Sequence, residues 1–524
     1  MSLYPKHDSR LTPWFWVSIA VLFLVAIALR FWGLSRFNTL VFDEVYYAKF
    51  ATAFLQHRQE FGGHPPLSDY IIAASIAIAQ RFGWGNPADS NDLAGMMLTT
   101  FSYRWMNAFV GAFIPLVIAA IAYQLTHRRS FTLIAGLFAT LEGMILVESR
   151  YALNNVYLLL FGLLGHLFVL MAVNHKARSP LQQTLARSRS DSLWVMIYLT
   201  LAGVGFGASV GIKWNGLGFL LGFYLIWGLA WLLRGVQRAS PQGRSSRGDV
   251  LRNSSNPLEN LTQLHIGHIL FGLALVPAVT YYVSWIPYIQ IDPSTSFWQW
   301  QLQIIDYHSR VGGMDAHPYC SPWYSWLYMV RPVAYFYQTA RSIYDPVPLT
   351  ATTLPQAQVA VIYDVHAMGN PFLWWFSSTA ILLMVGVTIQ QVWSWGRVIV
   401  ANRAAKSNVQ SASPHDHRPL FTPDATTWLM FYWVLSWAAN LLPWIKISRC
   451  TFIYHYMASS MFALLAIAFL CDRWLHQPQR WKQGTSITLI FLVVAAFLFW
   501  LPIYLGLPLS PTQFQLRMWF PTWV

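Results

Sequence analysis

Long apolar segments separated by shorter polar segments run along almost the whole chain. We predict about eleven transmembrane helices from these segments, at residues 13–33, 103–125, 131–148, 151–172, 193–210, 214–233, 266–288, 372–394, 427–443, 450–471 and 484–505. Most of them approach the ~20 apolar residues that a helix needs to cross a bilayer. Their apolar runs are continuous and lack the alternation of membrane barrel strands. The pattern therefore predicts an all-α polytopic membrane protein.

Basic residues lie in every second loop between the predicted helices. The basic clusters lie at 6–10, 128–129, 176–189, 234–252, 397–418 and 473–482. Positive charge is retained on the cytoplasmic side of membrane proteins. The pattern thus predicts a cytoplasmic N-terminus and an exoplasmic C-terminus in the cell (plasma or inner) membrane. The polar stretches near 235–262 and 397–426 are predicted to be cytoplasmic linkers.

Composition supports the membrane assignment and argues against a nucleic-acid partner. Of the 524 residues, 56% are hydrophobic and only 10% are charged, whereas soluble domains carry about 25% charged residues. The net charge of +14 would suggest nucleic-acid binding in a soluble protein. Here it is explained by topology, and no folded basic domain is evident.

The three cysteines show no paired metal-ligand spacing. Cys320 and Cys450 are predicted to lie on the same exoplasmic side, so a disulfide between them is possible. We nevertheless expect these cysteines to be buried or idle thiols.

Two long exoplasmic loops divide the chain into three predicted modules. Both loops, 34–102 and 289–371, are rich in the Trp, Tyr, His and Pro residues that suit a membrane interface. Within the first loop, residues 45–56 and 66–80 are predicted to form amphipathic interfacial helices. The modules are an N-terminal catalytic unit (1–290), the second of these loops with short helices (291–371) and a C-terminal helical unit with an exoplasmic tail (372–524).

The first loop carries the candidate catalytic carboxylates, Asp43 and Glu44, in the sequence F-D-E-V-Y-Y. A carboxylate there can act as a general base that takes a proton from an attacking hydroxyl. The alternative is a solvated turn or a helix N-cap, which Asp43 could also provide.

Two further candidates lie on the same side of the predicted membrane. His64 is held at a rigid turn by the paired prolines of G-G-H-P-P-L, where it could donate a hydrogen bond to a substrate or be a polar turn residue. Arg104 begins the second predicted helix. It could bind a lipid phosphate through its guanidinium, or extend to the head groups.

The remaining candidates also lie at exoplasmic helix ends or in the second long loop; they are Arg150, Lys213, His308, His317, Lys446, Arg449 and His455. Arg150 shares a short turn with Glu148, so a structural ion pair is as plausible as a functional role for such charges. Lys446 and Arg449 depart from the positive-inside pattern, which an anionic lipid phosphate would explain. His308 and His317 lack convergent ligand spacing, so no metal site is predicted.

Taken together, these elements resemble the protein O-mannosyltransferase family (glycosyltransferase family 39, GT-C fold). The matching segments occur in the family's order and are F-D-E-V-Y-Y-A-K-F, H-P-P-L, S-Y-R, K-W-N-G, H-P-Y-C-S-P-W-Y-S-W with a later R-P, and R-C-T-F-I-Y-H-Y. The second long loop, about eighty residues, is too short for the lumenal MIR domain of eukaryotic members, so the resemblance is to a bacterial-type member.

The resemblance implies an inverting, metal-independent glycosyltransferase without a cofactor. The donor would be a polyprenyl- or dolichyl-phosphate mannose, and the acceptor a Ser or Thr hydroxyl of an exported protein. Asp43 would be the base, Glu44 would support substrate placement, and Arg104 would contact the donor phosphate.

Two alternatives remain open at this stage. A lipid-A aminoarabinose transferase, or another GT-C enzyme that uses a lipid-linked sugar, also shows an Asp-Glu pair and a P-P-L turn, but typically has lysine where this chain has His64. A lipid or sugar transporter would place charges near the membrane midplane, whereas here they gather at one face.

Overall fold

A computed structural model describes residues 12–178, 185–239, 257–345, 354–407 and 423–524. The basic cluster at 6–10 and large parts of both predicted cytoplasmic linkers lie outside these described residues.

Helices dominate the described part of the chain. They are α1 Pro13–Phe31, α2 Glu44–Leu55, α3 Leu67–Phe82, α4 Thr100–Thr126, α5 Arg129–Thr140, α6 Gly143–Glu148, α7 Asn155–Arg178, α8 Leu185–Ile212, α9 Leu217–Ala239, α10 Ile266–Ile291, α11 Phe297–Arg310, α12 Pro371–Ser407, α13 Ala425–Leu441, α14 Met457–Leu475, α15 Arg480–Leu505 and α16 Pro511–Gln515. Nine segments of the described residues are long and apolar enough to cross a membrane: α1, α4, α7, α8, α9, α10, α12, α14 and α15, some with small changes at their ends. The chain is therefore a multi-pass membrane protein.

Two of the eleven predicted transmembrane helices are not among these nine membrane-length segments. The segment at 131–148 is divided into α5 and α6. The break falls at Glu142, whose carboxylate accepts a hydrogen bond from the backbone N–H of Ile145 at 2.7 Å and so begins α6. The segment at 427–443 is the 17-residue helix α13. The count of eleven is therefore not confirmed.

Close contact between α7 and α8 builds the centre of the bundle. A side-chain carbon on Gly205 would lie 2.9 Å from the carbonyl oxygen of Phe161 and 3.0 Å from the backbone nitrogen of Gly165. Small residues at such crossings let helix backbones approach. This approach fixes the position of the α8–α9 turn, which carries Lys213.

The first long loop folds close to its prediction. Helices α2 and α3 match the expected interfacial helices within about two residues. A two-stranded antiparallel pair, β1 Ser90–Asn91 and β2 Leu98–Thr99, follows them. The loop thus forms a structured cap that leads directly into α4.

The second long loop contains strands that the sequence analysis did not predict. After α11 and a 3₁₀ turn at Trp323–Tyr328, it forms the antiparallel hairpin β3 Val333–Ala340 and β4 Val361–Ala367. The register shifts between Ala334 and Phe336, as at a β-bulge. Almost every residue of the hairpin is buried or half-buried, so its side chains reach inward toward the helical bundle.

The expectation of idle thiols was wrong for two of the three cysteines. Cys320 and Cys450 form a disulfide that joins positions 130 residues apart, whereas Cys471 is a buried free thiol. The backbone N–H of Ser321 donates to the Thr451 carbonyl at 2.7 Å, and the Thr451 hydroxyl donates to the Ser321 carbonyl at 2.9 Å, which reinforces the link. The second long loop is thereby tied to the segment that precedes α14.

Candidate active site

Asp43 lies at a tight turn before α2. The preceding residue, Phe42, has a left-handed backbone with φ of 51°, a conformation uncommon for residues other than glycine. Its ring stacks on Tyr335 of β3, with centroids 4.1 Å apart. The hairpin therefore holds the turn, and α2 starts immediately after Asp43.

The Asp43 carboxylate is not used to hold the helix. Within the described part of the chain it forms no side-chain cap on α2, and the residue is partly exposed. Burial raises the pKa of Asp43 to about 6, and the nearby positive charge of Lys213 opposes this rise. At neutral pH the group is therefore mainly an ionised carboxylate that can accept a proton.

Glu44 is engaged very differently. One oxygen accepts from Arg104 Nε and from the backbone N–H of Ala152, each at 2.8 Å. The other accepts from Arg104 Nη2 at 2.7 Å and from the backbone N–H of Val41 at 2.8 Å. Both side chains of the ion pair are fully buried. Glu44 thus joins α2, α4 and the α6–α7 turn.

Arg104 also donates to backbone carbonyl oxygens of the segment between α1 and α2. These acceptors are Leu34, Phe37 and Thr39, at 3.1, 3.0 and 2.7 Å. Its Nε and both terminal nitrogens are therefore occupied by protein acceptors. Glu44 and Arg104 therefore hold the segment before α2 against α4, and the predicted contact of Arg104 with a donor phosphate stays a prediction.

Lys213 is the centre of a buried polar network beside Asp43. Its ammonium donates to Asn155 Oδ1 at 2.9 Å, and Asn155 donates to both oxygens of Glu148 at 3.2 Å. The hydroxyl of Tyr335 donates to Glu148 as well. Burial lowers the pKa of Lys213 to about 8, and the negative charges of Asp43 and Glu148 limit the fall. The ammonium therefore stays mostly charged at neutral pH.

A cavity of about 670 Å³ opens next to this network, between α9, α11 and α13. Five of the residues predicted from the sequence line it: His64, Lys213, His308, Arg449 and His455. Its other wall is largely apolar and includes Leu217, Leu221 and Trp444. The cavity is thus cationic at one end and apolar along its length.

The histidines of the cavity are packed together. Gly63 has a φ of 69°, and a side-chain carbon there would lie 2.3 Å from the Tyr307 ring, so only glycine brings His64 this close to α11. The rings of His64 and His308 are 5.2 Å apart. Burial lowers the pKa of His308 to about 4 and that of His64 well below its usual value. These imidazoles are neutral, so Lys213 and Arg449 supply the positive charge.

The cavity also presents polar atoms that lack protein partners. His308 Nδ1 and Asn440 Oδ1 are buried without a hydrogen-bond partner among the described residues. Buried polar groups are normally satisfied. Such atoms are therefore available to a bound ligand.

Three of the predicted site residues lie elsewhere. Arg150 is buried and donates to backbone carbonyls at the end of α1, including that of Trp32 at 2.8 Å. His317 is exposed and packs on Phe452, with ring centroids 5.5 Å apart. Lys446 is exposed and does not line the cavity. The Glu148–Arg150 ion pair, which the sequence left as one of two alternatives, is not formed among the described residues: Glu148 accepts from Asn155, and Arg150 donates to backbone carbonyls.

Sequence reasoning missed several residues of the site. Tyr335 and Tyr454 flank Asp43 and Lys213, and Asn155 and Asn440 contribute polar atoms. The signal for Asn155 was its place in the short turn after Arg150. Tyr335 carried no local signal because its strand was not predicted.

The described residues contain no group of three or more His, Cys, Asp or Glu side chains suited to hold a metal ion. Metal-independent chemistry thus stays a prediction.

Comparison with known proteins places this chain among glycosyltransferases. Residues 20–289 match a family model for dolichyl-phosphate-mannose–protein mannosyltransferase. Residues 293–523 match the C-terminal four-transmembrane region of protein O-mannosyltransferase. The two models together span most of the chain.

Relatives cover nearly the full length at low identity. A polyprenol-phosphate-mannose–protein mannosyltransferase of Corynebacterium glutamicum is 24% identical, covering 99% of this chain and 95% of its own. The enzyme of the same name from Mycobacterium tuberculosis is 22% identical, covering 97% and 92%. Among solved structures, the protein O-mannosyltransferase Pmt1–Pmt2 complex of S. cerevisiae bound to the sugar donor is similar. It has a TM-score of 0.69 and 13% identity, and covers 98% of this chain and 93% of that chain. That likeness concerns the fold alone.

Proposed function

This chain belongs to the dolichyl-phosphate-mannose–protein mannosyltransferase family, and we propose that it transfers mannose from a polyprenyl-phosphate donor to Ser or Thr hydroxyls of exported proteins. It is a glycosyltransferase of the GT-C type. The names of the bacterial relatives support a polyprenol-linked donor. The observation that carries the proposed mechanism is an uncapped, ionisable Asp43 beside a cavity with a cationic end and an apolar wall.

We propose Asp43 as the general base. In the transfer step the acceptor hydroxyl oxygen forms a bond to the anomeric carbon of mannose while its proton passes to Asp43. The bond between that carbon and the phosphate oxygen breaks, and its electron pair leaves with the polyprenyl phosphate. Glu44 is unsuited to this role because both of its oxygens already accept hydrogen bonds.

The cavity supports a donor site with two parts. The positive charges of Lys213 and Arg449 would stabilise the phosphate as it leaves. The apolar wall, including Leu217 and Leu221, would accommodate the polyprenyl chain. Neutral His64, His308 and His455 would supply hydrogen bonds without further charge. In this proposal the cavity residues form the donor site, and Arg104 and Arg150 do not.

We also propose the orientation and the division of the chain. Cys320–Cys450 lies in loops on the same side as Asp43, and disulfides form in oxidising compartments. This supports an exoplasmic active site and a cytoplasmic N-terminus in the cell membrane. We keep the three modules 1–290, 291–371 and 372–524 as a proposal.

A panel of lipid-linked sugars tests the proposed function. The purified chain would be incubated with two acceptors, a peptide containing Ser and Thr and lipid A, and with polyprenyl-phosphate mannose, glucose or aminoarabinose as the donor. We expect labelled sugar in the peptide with the mannose donor alone. Label transferred to lipid A, or from the aminoarabinose donor, would overturn the proposal.

Replacement of Arg449 by alanine should weaken donor binding. A hydrogen bond to a charged group contributes about 1.5–3 kcal/mol, so the KM for the lipid donor should rise roughly tenfold or more, and kcat should fall as well because Arg449 also stabilises the leaving phosphate. Lys446→Ala is the matched control, since Lys446 is a nearby exposed cation outside the cavity. An equal rise in both variants would assign the effect to general surface charge.

The pH profile should report Asp43. The base must be ionised, and burial raises its pKa to about 6. Activity should therefore be highest between about pH 7 and 8, half-lost near pH 6 and about tenfold lower for each further unit of acidification; above about pH 8 it should fall again as Lys213 loses its charge. A kcat/KM that is constant between pH 7 and 5 would contradict the assignment.

Unfolding should not explain this loss. A raised pKa means that the stability contributed by Asp43 is fully present below its ordinary value of 3.8 and is lost as pH rises through about 6. As far as Asp43 is concerned, acidification stabilises the fold. A melting temperature at pH 5 that is no lower than at pH 7 would therefore assign the loss of activity to protonation of Asp43 and not to unfolding.

A further inference from the structure

A second groove lies at the membrane face opposite the active site. Helix α14 begins beside the Tyr454–Tyr456 segment near Asp43 and ends at Leu475. Its 19 residues span about 28 Å. The groove surrounds the far end of this helix, between α12, α13, α14 and α15, and has a volume of about 360 Å³.

The walls of the groove are apolar along its length. They include Leu383 and Val387 of α12, Met430 of α13 and Phe469 of α14. Leu383 is 63% exposed and Val387 is 41% exposed, so the groove opens outward from the helical bundle. In a chain that spans a membrane, this opening faces the hydrocarbon region near one interface.

Two cations stand at the mouth of this groove. Arg473 donates through Nη1 to Thr426 Oγ1 at 2.9 Å, its guanidinium lies 5.8 Å from the centre of the Phe469 ring, and it forms no ion pair with a described carboxylate. The Lys482 ammonium lies 5.5 Å from the centre of the Trp481 ring and forms no ion pair with a described carboxylate. Both side chains are half-buried, which makes uncompensated positive charge costly.

The described carboxylates close to these cations have other partners. Asp472 accepts from Arg128 Nε at 2.6 Å and from Ser130 Oγ. Asp424 caps α13 through the backbone N–H of Thr427 at 2.8 Å. The positive mouth is therefore not paired with a described carboxylate and is open to an anion from outside the described protein.

We propose that this groove binds an anionic phospholipid. One acyl chain lies along the apolar walls, and the head-group phosphate accepts hydrogen bonds from Arg473 and Lys482. The charge complementarity favours this occupant over a neutral lipid, which would fill the groove but leave both cations unpaired. Basic pockets between transmembrane helices at the cytoplasmic face are a known setting for such head groups. The site is separate from the donor cavity and independent of the proposed mannosyl transfer.

Native mass spectrometry of the full chain in detergent tests the site. Phosphatidylglycerol and phosphatidylethanolamine with the same acyl chains would be offered at equal concentration. Each cation near a membrane surface favours an anionic lipid about fivefold, so we expect phosphatidylglycerol to bind about 25-fold more tightly. This comparison uses the unmodified chain alone. Equal binding of the two lipids would overturn the proposal.

Single substitutions test which residues cause the preference for phosphatidylglycerol. Arg473→Ala and Lys482→Ala should each reduce it about fivefold, whereas Arg397→Ala, an exposed cation of α12 outside the groove, should leave it unchanged. Leu383→Trp should weaken both lipids by filling the groove. An equal loss in Arg397→Ala, or tighter Arg473-dependent binding of polyprenyl phosphate than of phosphatidylglycerol, would refute the proposed occupant. A melting temperature equal to that of the parent chain shows that each variant is folded.

Discussion

Asp43→Asn should reduce mannosyl transfer by about a hundredfold to ten-thousandfold, the usual contribution of a general base. The amide keeps the size of the carboxylate but cannot accept the proton of the attacking hydroxyl. Because burial already disfavours the charged form of Asp43, its loss should not destabilise the fold. We expect a melting temperature equal to or slightly above that of the parent, measured beside transfer of labelled mannose to a peptide.

Asp69→Asn is a matched control for this variant. Asp69 is also a buried carboxyl of the first exoplasmic loop, and burial raises its pKa to about 8. It is therefore mostly neutral at pH 7, and it accepts a hydrogen bond from Ser68 at 3.3 Å, whereas Asp43 lies within the field of Lys213. Near-normal activity is expected for it. If both substitutions lowered activity equally, or if Asp43→Asn stayed active, Asp43 would not be the base.

Arg104→Ala should cause the largest loss of stability. Breaking a buried ion pair by removing one partner typically costs about 3–5 kcal/mol, since the remaining charge is left uncompensated. Here the Glu44 carboxylate would lose two of its four hydrogen bonds, and three backbone carbonyls would lose their donor. We expect a large fall in the melting temperature of the detergent-purified chain.

Arg104→Lys separates charge from geometry. Lysine keeps the positive charge but cannot reproduce the forked contacts to Glu44 and the carbonyls, so an intermediate melting temperature is expected. Donor affinity of the folded fraction should be close to normal in both variants. A parent-like melting temperature combined with lost donor affinity would instead restore Arg104 as a phosphate ligand.

Different parts of the molecule were predictable to different degrees. The first loop was predicted well because α2 and α3 are short amphipathic helices next to turn residues, and such signals are local. The hairpin β3–β4 was missed, since its nearly continuous burial removes the alternation that marks a half-exposed strand. The break at Glu142 was missed because hydropathy averages over one charged residue in an apolar run.

The candidate site was predicted in the same uneven way. Asp43, Lys213 and Arg449 were selected because charges at a helix end in an apolar chain are unusual. Which of these charges meet could not be deduced, however, because partners such as Glu44 and Arg104 are 60 residues apart. Two nearby cations, Lys446 and Arg449, differ in placement: Arg449 lines the cavity, whereas Lys446 is exposed outside it.

The sequence by itself determined the membrane class, most of the helices and the ordered family motifs, including the position of Asp43. These properties depend on hydropathy and on short runs of residues. Only the tertiary structure decided that Glu44 and Arg104 bind each other, that Cys320 and Cys450 are joined, and that Lys213 lies beside Asp43. Those relations arise from packing between distant segments, where burial and competition for hydrogen-bond partners assign each charge its role.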